Sequence, residues 1–182
     1  MRVAYFIFTL IITALLSSTS FAQDFTLHSA ELQEGKQLTA AHVFKGFGCE
    51  GDNTSPQLSW SNAPEGTKSF ALTVYDPDAP TGSGWWHWNV VNIPASVTEL
   101  PAGASPEKGL PDGVVQLRND YGVRGFGGAC PPPGEVHRYI FTVYALGVEQ
   151  LDLPENASNA LAGFMTRANA LASADITAVY TR

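Results

Sequence analysis

Cysteine is scarce in this 182-residue chain, which contains only Cys49 and Cys130. Neither belongs to a C-x-x-C pair, which argues against a reactive redox dithiol. Basic residues are also few, with ten Lys and Arg against seventeen Asp and Glu and a net charge of −7. They are scattered rather than clustered. That balance excludes nucleic acid as a natural partner and disfavours adsorption onto anionic headgroups. Long apolar runs are missing beyond residue 16, and repeats and low-complexity tracts are missing altogether.

The one apolar run, Val3 to Leu16, follows Arg2 and leads into small residues ending at Ser20-Phe21-Ala22. It is shorter than the roughly 20 residues needed to span a bilayer core, and its layout is that of a secretory signal peptide. Cleavage near Ala22 is expected, leaving residues 23–182 as a single domain in the periplasm or outside the cell, with no stable membrane anchor. Arg2 is the only charge lost, so nine basic residues then face seventeen acidic ones, a net charge of −8. In an oxidising compartment the default for two cysteines is an intramolecular bridge, Cys49 to Cys130. The rival reading, a free nucleophilic thiol, suits an exported chain poorly.

Glycine and proline are unevenly placed and divide the chain into short segments. Apolar, aromatic and β-branched residues predict strands over Lys68–Asp76, Trp85–Ile93, Arg138–Leu146 and Ile176–Thr181. A single helix is predicted from Ser158 as N-cap. Leu161, Phe164, Met165, Ala168, Leu171 and Ala172 would form its apolar stripe against the sheets. The expected fold class is mainly β, an antiparallel β-sandwich with a peripheral C-terminal helix.

Three loops carry more than connection requires: Asn53-Thr54-Ser55-Pro56, Asp76-Pro77-Asp78-Ala79-Pro80, and Gly125 to Gly134. In the second, two prolines restrict how both carboxylates are held, although Asp-Pro is also ordinary turn chemistry. The next strand places His87 within Trp85-Trp86-His87-Trp88, where alternation predicts His87 on the face opposite Trp86 and Trp88. In the third, glycines allow successive N–H groups to form an anion-binding nest, and a bridge at Cys130 would fasten that loop to the Cys49 segment. A proline-rich connector is the plainer reading. His137 follows immediately. His28 is expected to be solvated and His42 to pack near the Cys49 loop.

Taken together, Gly46-Phe47-Gly48-Cys49-Glu50-Gly51-Asp52-Asn53-Thr54-Ser55-Pro56, Asp76-Pro77-Asp78-Ala79-Pro80, Trp85-Trp86-His87-Trp88 and Pro131-Pro132-Pro133-Gly134 with His137-Arg138-Tyr139 resemble the phosphatidylethanolamine-binding family. More narrowly, they resemble its exported bacterial Raf kinase inhibitor-like branch, of YbhB/YbcL type. The resemblance covers essentially the whole mature chain. It implies a β-sandwich in which Asp76, His87 and His137 meet at a pocket for phosphate-like headgroups. Asp78, Pro80, Trp86 and Tyr139 would line that pocket, and the loop containing Gly127, Gly128 and Pro132 would cover it. It also implies frequent pairing as homodimers. The signal sequence and cysteine pair depart from the cytoplasmic members, so kinase regulation is not carried over.

Two imidazoles can become donors to an oxyanion while a carboxylate fixes one ring's tautomer. The first functional reading is therefore a non-enzymatic binding or modulator protein for a small anion, phosphate or a phosphorylated headgroup, without cofactor. Arg138, on the opposite strand face by alternation, is expected to serve structure or surface. A second reading is a metal-dependent hydrolase using the Asp/His cluster. Ser83 between Gly82 and Gly84 lacks the strand-turn-helix setting of a nucleophile elbow. A third reading is a protein-facing inhibitor, directed at a protease or a host, whose pocket is secondary.

Overall fold

The computed structural model describes residues 23–105 and 109–182. The expected signal peptide, residues 1–22, lies outside the described residues. Among these residues ten strands and one α-helix follow in order: β1 Thr26–His28, β2 Lys45–Gly46, β3 Cys49–Glu50, β4 Leu58–Ser61, β5 Ser69–Asp76, β6 Trp85–Pro94, β7 Glu99–Leu100, β8 Val115–Gln116, β9 Val136–Leu146, α1 Asn159–Asn169 and β10 Ala170–Thr181. A short 3-10 turn spans Ala40–His42.

The mainly β, antiparallel architecture expected from the sequence is the one observed. Five strands pair in the order β10-β9-β5-β6-β8 and three in the order β1-β4-β7, while β2 and β3 form a small hairpin. β5 is central because both of its faces are apolar: Phe70, Leu72 and Val74 point one way, Ala71 the other, and all are buried. The first face meets Leu27, Leu58, Trp60 and Leu100 of the three-stranded sheet, closing the main core. The second face, with Ala71, Val91 and Leu146, packs beneath Leu151 and Ala162 of the helical side. Trp88 and Phe141 are fully buried in the main core, and truncating either to Ala would cost about 3–5 kcal/mol.

Helix α1 differs from its predicted orientation. Ser158 does cap it, its Oγ accepting from Leu161 N–H at 3.1 Å. The buried face, however, is Asn159, Ala162, Gly163 and Thr166, while Leu161 and Phe164 are exposed. Close approach explains the reversal. Gly163 sits against the Trp86 ring, where even a methyl group would lie 3.5 Å away, and the Asn159 amide donates to Arg118 O at 2.9 Å. Small side chains thus face the sheet and large ones face out. The helix ends at Asn169 and the chain passes directly into β10. Leu171 and Ala172 are consequently strand residues, and β10 begins six residues before the predicted Ile176.

β6 departs from simple alternation as well. Trp85 pairs with Asp76 and Trp86 with Tyr75, whereas Trp88 pairs with Val74, so His87 is an extra residue in a β-bulge. The bulge shifts the strand's phase. His87 still faces away from Trp86, as alternation predicts, but Trp88 turns to the same side as His87.

Candidate functional site

Asp76 ends β5, His137 and Tyr139 open β9, and the bulge at His87 lies on the strand between β5 and β8. All four side chains therefore gather at one end of the five-stranded sheet. With Phe47, Ala79, Pro80, Thr81, Trp85, Tyr121, Cys130, Pro131 and Pro132 they line a pocket of about 210 Å³.

Asp76 is the pivot. Its Oδ1 accepts the backbone N–H of Asp78 at 2.7 Å and of Ala79 at 3.1 Å, which closes the Asp-Pro turn. Its Oδ2 lies 2.7 Å from His137 Nδ1, with both side chains buried. The other ring nitrogen, His137 Nε2, meets the half-exposed Glu135 carboxylate at 3.0 Å. Burial alone would push the His137 imidazole down, but the hydrogen bonds to Glu135 and Asp76 outweigh it and raise its pKa above 6.5.

His87 is set differently. Its Nδ1–H donates to Gly127 O at 2.7 Å, and its own carbonyl accepts Gly127 N–H at 2.9 Å. Burial pushes its pKa below 6.5 despite the bond to Gly127. The ring stands edge-on to Tyr121 and Tyr139, with centroids 5.7 and 5.0 Å away. Burial also raises both phenols, so they remain neutral donors.

The glycine loop does not form the expected anion nest. Phe126 N–H donates to Ser105 Oγ, Gly127 N–H to His87 O, Gly128 N–H to Asn53 Oδ1 and Ala129 N–H to His42 O. These donors are consumed in holding the loop. Gly128 is required there, because a Cβ would stand 2.5 Å from His42 O. His42 itself is buried, with Nδ1 2.8 Å from Thr54 O, and serves packing as predicted.

Asp76, Pro80, His87, Pro132, His137 and Tyr139 thus line the pocket, while Gly127 and Gly128 support it from behind. Two residues expected in the lining are elsewhere. Asp78 turns outward into a bidentate pair with Arg138, whose guanidinium pulls the Asp78 carboxyl down to about 2. Trp86 lies on the opposite sheet face beside Tyr75 and α1, where alternation from His87 sets it. Its place is taken by Trp85, and by Tyr121, whose hydroxyl donates to Gly128 O at 3.0 Å. Tyr121 and Glu135 are beyond the reach of sequence reasoning. The one signal for Tyr121 is an aromatic inside the turn sequence Asp120-Tyr121-Gly122.

The cysteines form the expected bridge, Cys49 to Cys130, across 81 positions of chain. It fastens the β2–β3 hairpin to the proline loop. The hairpin tip Phe47, 71% exposed and at φ 51°, stands at the pocket mouth, its ring centroid 5.8 Å from that of Phe44 and 5.5 Å from that of Tyr121.

The family described as Phosphatidylethanolamine-binding protein matches residues 28–181. The chain is 58% identical over 178 residues to the UPF0098 protein YbcL of Escherichia coli K12, covering 94% of this chain and 97% of that protein. It is 55% identical over 156 residues to the UPF0098 protein YbhB of the same organism, covering 85% and 99%. The crystal structure of E. coli YbcL, described as a new member of the mammalian PEBP family, is similar with a TM-score of 0.85 at 60% identity, covering 88% of this chain and 99% of that one. A Chlamydia trachomatis homologue superposes with a TM-score of 0.73 at 30% identity, covering 87% and 97%.

Proposed function

Since this chain belongs to the phosphatidylethanolamine-binding family, we propose that it is an exported, non-enzymatic binding protein whose pocket accepts a small phosphate-like anion or phosphorylated headgroup. One observation carries this reading. His87 Nε2, Tyr139 Oη and Trp85 Nε1 are buried polar atoms without a hydrogen-bond partner among the described residues. All three belong to side chains lining the same small pocket. Leaving such atoms unmatched costs about 1–3 kcal/mol each, so a polar guest that satisfies several at once recovers that free energy. Tyr139 and Trp85 supply donors for oxyanion atoms, and the His137 ring supplies one when the half-exposed Glu135 releases its Nε2.

The leader-like segment before Ala22 supports action in the periplasm or outside the cell, and the negative net charge supports a small ligand rather than a polyanion. A homodimer accords with the bacterial branch that the sequence resembles. Titrating inorganic phosphate and phosphoethanolamine while following ring resonances tests the pocket. Saturable shifts of both His87 and His137 are expected; silence of both rings up to millimolar ligand would overturn the assignment.

A further inference from the structure

The hydrogen-bond polarity of the pocket restricts which phosphoryl groups it can hold. Gly127 O can only accept, so the 2.7 Å contact places the proton of a neutral His87 ring on Nδ1. Nε2 is then a lone pair, buried and without a partner among the described residues. The ring is 2% exposed, which opposes placing a second proton on it. Nearby acceptors reinforce the pattern. The Asp76 carboxylate already faces His137 Nδ1, and Glu135 already occupies His137 Nε2. The backbone N–H groups of residues 126–129 are consumed within the loop. A guest therefore meets more acceptors than a bare oxyanion can use. An oxygen without a proton would face the His87 lone pair with repulsion.

Resting on the anion-pocket reading above, we infer that the pocket takes a phosphoryl group that keeps an acidic hydroxyl, either hydrogen phosphate or a phosphate monoester, and discriminates against phosphodiesters. The P–OH donates to His87 Nε2. Unprotonated phosphoryl oxygens accept from Tyr139 and Trp85, and from His137 once the half-exposed Glu135 swings clear of its ring. A diester carries no such proton. Sites built to bond a hydroxyl reject analogues lacking it far more strongly than a methyl difference alone would predict.

Three monoanions of similar size separate this rule from simple charge attraction. At pH 5.5 methyl phosphate is expected to bind at least ~10-fold more tightly than dimethyl phosphate or methyl methylphosphonate, neither of which has a P–OH. Above its second pKa of about 6 the methyl phosphate affinity is expected to fall as the hydroxyl ionises. The charged and titratable groups around His87 are Asp76, Asp120, Tyr121, His137 and Tyr139, with Glu135 behind His137. Nitrogen-15 spectra of the wild-type protein should show His87 Nε2 still unprotonated in the bound state.

Equal affinity for the three anions, or a doubly protonated His87 ring on binding, overturns the hydroxyl rule while leaving an anion pocket in place. Failure of both inorganic phosphate and methyl phosphate to bind overturns the pocket itself. Inorganic phosphate alone binding, with methyl phosphate excluded, also overturns the rule, because methyl phosphate carries the P–OH and its exclusion would be steric.

Discussion

His137 Nδ1 lies 2.7 Å from Asp76 Oδ2 in a setting that exposes almost none of either side chain. The same carboxylate also closes the turn after β5 through Asp78 and Ala79 N–H. Asp76 therefore joins the site to the fold. Asp76→Asn leaves the His137 ring without its buried counter-charge and should destabilise the protein by about 3 kcal/mol. Urea unfolding measures this, and a loss below about 0.5 kcal/mol, the ordinary range of surface substitutions, would show the pair to be dispensable.

The two pocket histidines give stability an opposed pH dependence. Both titrate near ~6.5 when unfolded. His137 has a raised folded pKa, so its contribution is full below 6.5 and is lost as pH rises through the folded value. His87 has a lowered folded pKa, so its contribution is full above 6.5 and is lost as pH falls through the folded value. A stability maximum near pH 6.5 is expected from this pair. Unfolding free energies measured from about pH 5 to about pH 8.5 should show His137→Gln removing the alkaline decline and His87→Gln the acid one.

The Cys49–Cys130 bridge closes a loop spanning 81 positions, which the chain-entropy estimate values at about 4 kcal/mol. It also aligns Phe47 with Pro131 and Pro132 around the pocket. Reduction should weaken phosphate binding at denaturant concentrations where the fold survives. Equal affinity in reduced and oxidised protein, with only the unfolding midpoint moved, would confine the bridge to global stability.

Two glycines of the loop before β9 should respond differently to alanine. At Gly128 a methyl group meets backbone at 2.5 Å, so Gly128→Ala should cost about 3 kcal/mol through displaced loop contacts. Gly134 has open space around it but a φ of 84°, so Gly134→Ala should cost about 1 kcal/mol from backbone strain alone. Thermal unfolding of the two variants side by side tests the ranking.

Helix α1 offers a similar contrast. Phe164→Lys replaces a largely exposed ring and should change stability by less than about 0.5 kcal/mol. Ala162→Leu inserts bulk where the helix meets the sheet and should cost about 1–3 kcal/mol. Denaturant midpoints of the two variants give the order, and its reversal would mean that the large residues face the sheet after all.

Strands β5, β6 and β9 are legible in the sequence because their apolar and aromatic runs are bounded by glycine and proline, and the trio Asp76, His87 and His137 because each sits where a run meets a loop. Trp88 escapes a period-two count, which sets it opposite His87, because one extra residue at His87 is invisible to that count. The helix orientation is misleading in sequence because the stripe of Leu161 and Phe164 outweighs Ala162 and Gly163 in hydrophobicity, while it is Gly163 that comes up against Trp86 and Ala162 that packs with Ala71, Val91 and Leu146. The glycine loop resembles a ligand cradle because composition cannot say whether an N–H is already engaged. Asn53, Ser105 and the carbonyls of His42 and His87, which engage the loop's N–H groups, lie far away in sequence.

The extra residue at His87 divides β6 between two masters. Upstream of it, Trp85 and Trp86 are placed by the pocket and by the helix; downstream, Trp88, Val90 and Ile93 are placed by the main core. The strand is in effect two rulers joined out of step. The residue that breaks step is His87 itself: deleting it would leave a regular ladder there, with Trp85 still opposite Asp76 and Trp88 opposite Val74, and would take the imidazole out of the pocket.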